Sequence, residues 1–177
     1  MNHHGTQTLK TERLTLRRFT LDDASAMYHN WANDPSVAGR LTWQPHASEQ
    51  ATRELLEMWC AKYDSPLYYH WAIEFEGEVI GNVEVMGGDG SYGMMGYALG
   101  AAYWNKGIMT EAVKCALTFL LDREGLRHIT VKHAPSNPAS GKVAAKCGMT
   151  YVGPEPFGRT LSNGTFVESL CVYEIRR

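Results

Sequence analysis

The run Tyr97-Ala98-Leu99-Gly100-Ala101-Ala102-Tyr103-Trp104-Asn105-Lys106-Gly107-Ile108-Met109-Thr110-Glu111-Ala112 holds the densest chemistry in the chain. It reads as a strand, a short loop and the start of a helix. The first N–H groups of a helix lack intrahelical partners and lie at the positive end of its dipole. Such an end binds phosphate readily, and Lys106 places a cation beside it. Two nucleotide-binding patterns fail here. Gly100 with Asn105-Lys106-Gly107 falls short of Gly-x-x-x-x-Gly-Lys-Ser/Thr, because Asn105 replaces the second glycine and Gly107 the magnesium-binding hydroxyl. No Gly-x-Gly-x-x-Gly opens a helix, so the dinucleotide fingerprint is missing.

Other chemically capable residues are spread out. Asn137-Pro138-Ala139-Ser140 opens a second helix with an amide and a hydroxyl in its first turn. Glu84 alternates with Val83 and Val85, so it points away from the face they occupy. Solvent is one destination for that carboxylate, and a role as proton acceptor is the other. His70 beside Trp71 and His133 at a strand end read as structural histidines. Trp43 and His46 lie on a loop, where binding residues concentrate. Tyr28 and Trp31 fall at helical spacing, which suits a core face as well as a pocket. Cys60, Cys115, Cys147 and Cys171 are far apart, with no Cys-x-x-Cys pair, so no metal site is expected. With no export signal they read as reduced thiols of a cytoplasmic protein.

These residues need a scaffold. Leu14, Leu16 and Phe19 mark a short strand, and Thr20 is the cap candidate for a helix with acidic residues in its first turn. Asn33-Asp34-Pro35 should stop it. Ser48 starts a second helix carrying Leu55, Leu56 and Trp59. Strands are expected at 69–75, 79–86 and 91–100, the last rich in glycine, which marks a bulge or close backbone approach. A helix at 107–123 and a strand at 127–133 follow. Asn137 should cap a helix ending near Gly148, with Pro138 at its first position. Tyr151-Val152 and late strands around 159–161 and 166–175 complete the chain, the last two joined at Asn163-Gly164. This is an α/β (α+β) domain with a mixed sheet.

The chain has 177 residues, which fits one domain over 1–177, with residues 1–10 as a flexible lead-in. Lys and Arg number 17 against 19 Asp and Glu, a net charge of −2. Nucleic-acid binding draws on neutralised phosphates, and no basic excess is present to supply it. With 44% hydrophobic and 20% charged residues the chain can form a packed core. No apolar run approaches the roughly 20 residues of a membrane span, so neither nucleic acid nor membrane is an expected partner.

The loop segment resembles the acyl-CoA pyrophosphate loop of the GNAT acetyltransferase superfamily, and is most similar to the RimJ/RimL-type branch, which acetylates protein N-termini. Thr11-Glu12-Arg13-Leu14-Thr15-Leu16-Arg17 resembles that branch's opening strand, and Phe19-Thr20-Leu21-Asp22-Asp23-Ala24 its first helix start. Tyr69-His70-Trp71-Ala72-Ile73 and Val79-Ile80-Gly81 resemble its central strands. Asn137-Pro138-Ala139-Ser140 and Lys146-Cys147-Gly148-Met149 resemble its last helix and the turn after it. The resemblance implies a mixed, mostly antiparallel sheet in which the strand from Gly93 to Gly100 splays from the strand 127–133, with flanking helices.

It also implies a site. Pantetheine would pair with backbone around Tyr97, Ala98 and Leu99. N–H groups of Asn105, Lys106, Gly107, Ile108, Met109 and Thr110 would meet the pyrophosphate. Asn137 would hold the pantetheine amides, Ser140 would protonate the leaving thiolate, and Lys142 and Lys146 would reach the adenosine phosphate. Trp43, His46 and Trp31 would shape the acceptor pocket. The chain departs from the family at Met94, which stands where relatives carry a basic glutamate, at Ala144, which replaces an acid tyrosine, and at Met109, which replaces a small loop residue. Glu84 is the candidate replacement base. The implied function is acetyl-CoA-dependent transfer to a primary amine, at a protein N-terminus. A small-molecule amine acetyltransferase and a catalytically weak acyl-CoA-binding module are the rival readings. Many relatives dimerise, so a homodimer is the assembly to test.

Overall fold

The computed structural model describes residues 3–177. Eight strands form one sheet: β1 (Leu9–Lys10), β2 (Leu14–Arg17), β3 (Tyr69–Phe75), β4 (Glu78–Met86), β5 (Tyr92–Leu99), β6 (His128–His133), β7 (Thr150–Thr160) and β8 (Phe166–Arg176). Their order is β1-β2-β3-β4-β5-β6-β8-β7. Every neighbouring pair is antiparallel except β5 and β6, which run parallel. Five helices flank the sheet: α1 (Ala24–Met27), extended by a wider turn at Tyr28–Ala32, then α2 (Pro35–Ala38), α3 (Glu49–Cys60), α4 (Ile108–Thr118) and α5 (Pro138–Lys146). No described helix is long and apolar enough to cross a membrane.

Strand alternation sends side chains to two cores. Trp71, Ile73, Val83, Val85 and Met95 face α4 and the wider turn that extends it at Phe119–Arg123, where Ile108, Ala112, Val113 and Leu120 meet them. Ala72 and Val79 face the other way, onto Phe19, Met27, Trp31 and Leu56 from the first three helices. Fully burying a large apolar side chain contributes about 1.5–3 kcal/mol, so helices sandwich both faces of the central strands.

The parallel pair decides the architecture of the site. Tyr92 to Met95 pair with His128 to Val131, and pairing stops there. Beyond Met95 the strands diverge, which is the splay the resemblance implied. Glycine permits the close packing at its base: a Cβ on Gly93 would lie 2.3 Å from Val85 Cγ1.

Several local expectations need correction. Asp34-Pro35 ends the first helical segment but also starts α2, because the Asp34 carboxylate accepts the Ser36 N–H and Pro35 takes the first position. The late strand at 159–161 is the end of one long β7 that begins at Thr150, with register shifts between Tyr151 and Gly153 and between Pro156 and Arg159. Residues 3–10, expected as a flexible lead-in, are held by specific bonds. The buried Glu124 carboxylate accepts the His4 N–H at 2.7 Å and the Tyr69 hydroxyl at 2.7 Å. Thr6 Oγ1 donates to Tyr68 O, and the Trp71 indole donates to Gln7 O.

Candidate active site

The end expected to meet phosphate lies between β5 and α4. A single 3-10 turn, Ala101–Tyr103, follows Gly100, and the chain then takes left-handed backbone at Asn105 (φ 62) and Gly107 (φ 76) before α4 begins. Among the described residues, none of the N–H groups from Asn105 to Thr110 has a backbone acceptor. The side chains of Ile108 and Met109 are buried in the core, so Met109 occupies the small-residue position without blocking the loop. Lys106 is exposed, with Nζ 5.5 Å from the centre of the Tyr103 ring.

Arg13 braces the loop from outside. Its guanidinium pairs with Glu111 at 2.7 Å and donates to Lys106 O at 3.1 Å, while Thr11 donates to the same carboxylate at 2.6 Å. Burial would raise the Glu111 carboxyl, but these donors more than offset it and hold it below its ordinary range.

The splay offers a backbone edge. Gly100 N–H donates to Ile80 O, so even-numbered residues of β5 bond to β4 and odd-numbered ones face β6. Ala98 is therefore engaged with Asn82 of β4 and offers no backbone group to the gap. Tyr97 and Leu99 face it, but the Leu99 carbonyl already accepts the Trp104 indole N–H at 2.8 Å. Tyr97 N–H, Tyr97 C=O and Leu99 N–H are the groups that face the gap.

On the opposite wall, Asn137 occupies the cap position of α5, but its side chain makes no capping bond. The amide expected to cap the helix is therefore not used as a cap. Ser140 and Tyr97 join across the gap: the Tyr97 hydroxyl donates to Ser140 O at 2.7 Å, and Ser140 Oγ donates to the Tyr97 oxygen at 3.1 Å. Burial holds the Tyr97 phenol well above its ordinary range. Lys142 is exposed on α5. His133, at the end of β6, lies so close to α5 that a Cβ on Gly141 would fall 2.5 Å from its Nε2. That nitrogen is buried and has no hydrogen-bond partner.

Glu84 lies on the other face of the sheet. It does point away from Val83 and Val85, but that face is not open solvent. His70, Glu84 and Gly96 are aligned across β3, β4 and β5. The missing Gly96 side chain leaves space into which Glu84 folds: a Cβ there would lie 3.5 Å from Glu84 Oε1 and 3.0 Å from the Met86 methyl carbon. The carboxylate thus lies over β5, two residue pairs along from Met94, which pairs with Met86 on the same face. Burial raises the Glu84 carboxyl above its ordinary range, and the Lys62 charge only partly counters this.

A family model described as an acetyltransferase (GNAT) domain matches residues 13–150. The chain belongs to the GNAT acetyltransferase family. It is 28% identical over 141 residues to the uncharacterized N-acetyltransferase p20 of Bacillus licheniformis, covering 77% of this chain and 79% of that protein. Among solved structures it resembles RimL, a ribosomal L7/L12 alpha-N-protein acetyltransferase in complex with coenzyme A, with TM-score 0.85, 18% identity and coverage of 96% and 98%. It also resembles the microcin C7 self-immunity acetyltransferase MccE in complex with acetyl-CoA and AMP, with TM-score 0.82, 20% identity and coverage of 94% of each chain. At these identities the structural likeness speaks for the GNAT fold.

Within this GNAT enzyme the expected acceptor residues divide. Trp31 lines no pocket: it is 1% exposed inside the helix-side core. Trp43 and His46 are half-buried on the α2–α3 loop, ring centres 5.8 Å apart. His46 is anchored by its N–H to Ala32 O and its Nδ1 to Thr52 Oγ1, and burial lowers its pKa. The tip of the β7–β8 hairpin closes onto this region, Ser162 donating its N–H to Leu41 O and its hydroxyl to Ala38 O at 2.6 Å. Three contributors escaped the sequence: the Arg13 brace, the Tyr97 hydroxyl and the Trp104 indole. Only the alternation of β5 hinted at the second. Among the described residues no cluster of three or more His, Cys, Asp or Glu could hold a metal ion.

Proposed function

We propose that this N-acetyltransferase belongs to the RimJ/RimL-type branch and moves the acetyl group of acetyl-CoA to an α-amine, at a protein or peptide N-terminus. The N–H groups of Asn105 to Thr110 receive the pyrophosphate, with Lys106 beside them and Lys142 at the adenosine phosphate. The Tyr97 edge and the Asn137 amide hold pantetheine. The amine attacks the thioester carbonyl directly, and the N–H groups of Tyr97 and Leu99 are the donors available to the resulting oxyanion. Glu84 accepts the proton the amine loses. The Ser140–Tyr97 pair returns a proton to the departing thiolate, so the products are the amide and the free thiol. Trp43 and His46 contact the acceptor.

The observation that carries this reading is the Glu84 carboxylate folded over Gly96, beside the position where Met94 offers no base. A buried carboxylate with a raised pKa is suited to a modest proton transfer. An α-amine has pKa about 7.7–8.0, so roughly a third is neutral near pH 7.5, whereas a lysine at about 10.4 is neutral only to roughly 0.1%. CoA release measured over N-terminal peptides, the same peptides with blocked α-amines and one internal lysine, and polyamines tests the reading. We expect kcat/KM for free α-amines to exceed that for lysine by 100-fold or more. Equal or greater activity on lysine or polyamines would favour a small-molecule or side-chain acceptor. Tight CoA binding without turnover would favour a binding module.

A further inference from the structure

Beneath Glu84 runs a buried polar row that the proposed reaction does not use. His70 is wholly buried, with its ring 4.1 Å from Trp59 and 5.3 Å from Phe19, centre to centre. Its backbone is fixed too, the N–H donating to Thr6 Oγ1 and the carbonyl accepting the Tyr63 hydroxyl. A histidine tied down this firmly can hold its partners in fixed directions. Nε2 meets the Asn82 Nδ2 at 3.2 Å, and Nδ1 meets the Tyr68 oxygen at 3.0 Å.

Burial, helped by the Lys62 charge, lowers the His70 pKa to about 3, so the ring is neutral at working pH and carries one N–H. Asn82 Nδ2 is a donor, so Nε2 must accept. The proton then resides on Nδ1 and is donated to the Tyr68 oxygen. Tyr68 cannot return its own proton to His70 and must direct it elsewhere. Burial raises the Tyr68 phenol above its ordinary range, followed by the influence of Tyr63, Glu84 and Cys60, and Glu84 is the carboxylate among them. The titratable groups facing Glu84 are His70 from β3, Tyr68 just before it and Lys62 after α3, while β5 presents Gly96 and Met94.

We propose that Asn82 and His70 lock the direction of the Tyr68 hydroxyl so that its proton is directed to Glu84, making all three positioning residues for the base. This rests on the assignment of Glu84 as that base. The Tyr68 hydroxyl is in hydrogen-bond contact with His70 and not with Glu84 itself, so it serves the carboxylate through one water and favours its charged, proton-accepting form.

The test is the pH dependence of kcat/KM for an N-terminal peptide, measured with wild type, Tyr68→Phe, Asn82→Leu, the double variant and Glu84→Gln. Removing a donor to a carboxylate raises its pKa, so Tyr68→Phe should move the acid limb to higher pH by on the order of one unit. Asn82→Leu frees the His70 tautomer without touching Tyr68 or Glu84, and should move the limb the same way by less. The double variant should move it no further than Tyr68→Phe. KM for acetyl-CoA should stay within about twofold throughout, a result that mere structural damage would not give. An unmoved acid limb in Tyr68→Phe, with Glu84→Gln crippled, overturns the positioning role and leaves the base in place. It is also what an Asn82 amide turned over, with its oxygen toward His70, would give. Full activity in Glu84→Gln overturns the base assignment and this role with it. Should Asn82→Leu fail to fold, Tyr68→Phe decides alone.

Discussion

Asn137 shows how much the use of one side chain depends on what it leaves undone. It holds the cap position of α5 yet makes no capping bond, which is a local cost at a position where a side-chain bond is normally worth about 1 kcal/mol. An amide held free beside the splay suits a ligand with amides of its own. Asn137→Ala should therefore raise KM for acetyl-CoA about tenfold, the equivalent of one hydrogen bond of roughly 1.4 kcal/mol, while kcat changes little and thermal stability is nearly unaltered. A large loss of stability with unchanged KM would return Asn137 to a structural role. Glu84 and Trp31 mark the limit of single-residue reasoning. Alternation gave the face of Glu84, but whether that face meets solvent or the Trp59–His70 layer depends on where α3 packs. Helical spacing suited Trp31 to a core as well as to a pocket, and the packing of α3 chose the core.

At the scale of elements, the loop between β5 and α4 is shaped by its own backbone and held by a distant strand. The left-handed residues Asn105 and Gly107 set its turn, and the Arg13–Glu111 pair ties it to the segment before β2. The pair is partly exposed, so its direct contribution to stability is small, and its effect should appear in the loop. Arg13→Ala is expected to raise KM for acetyl-CoA by about three- to tenfold while kcat at saturation stays near wild type; an unchanged KM would show that the loop keeps its shape unaided. β3, β4, β5, α4 and β6 were readable because apolar periodicity and glycine punctuation agree there. α2 was not, since Asp34-Pro35 spells both an end and a beginning. β7 was obscured by Pro154 and Pro156, which only an edge strand accommodates, and edge position is a property of the whole sheet.

Across the whole molecule, the two ends of the β5–β6 pair have opposite tasks. At one end the strands part, where the proposed function places acetyl-CoA. At the other, residues 3–7 tie β3 to the turn after α4 through Glu124. Burial would raise the Glu124 carboxyl, but the His4 N–H, the Tyr69 hydroxyl and the His4 ring more than offset it, leaving its folded pKa below the unfolded one. The sign follows: this group adds stability above its unfolded pKa and loses it as pH falls through the folded pKa. Glu124→Gln should lower stability near neutral pH by about 1–3 kcal/mol, at roughly 2–4 °C of Tm per kcal/mol for a chain this size. The variant should also lose part of the wild-type acid dependence of Tm. An unchanged Tm at pH 7 would show that the anchor contributes nothing. The net charge of −2 speaks against a polyanionic partner. It is compatible with a small anionic cosubstrate met by helix-end N–H groups and a few lysines.

The proposed function assigns Glu84 as the base in a chain that carries methionine at position 94. The direct test is CoA release from acetyl-CoA and an N-terminal peptide, wild type against Glu84→Gln, at saturating acetyl-CoA and pH 7.5. Loss of a positioned general base typically costs 10²–10⁴-fold, so kcat should fall by about 100-fold or more with the affinity for CoA unchanged. A Glu84→Gln enzyme turning over at the wild-type rate would contradict the account.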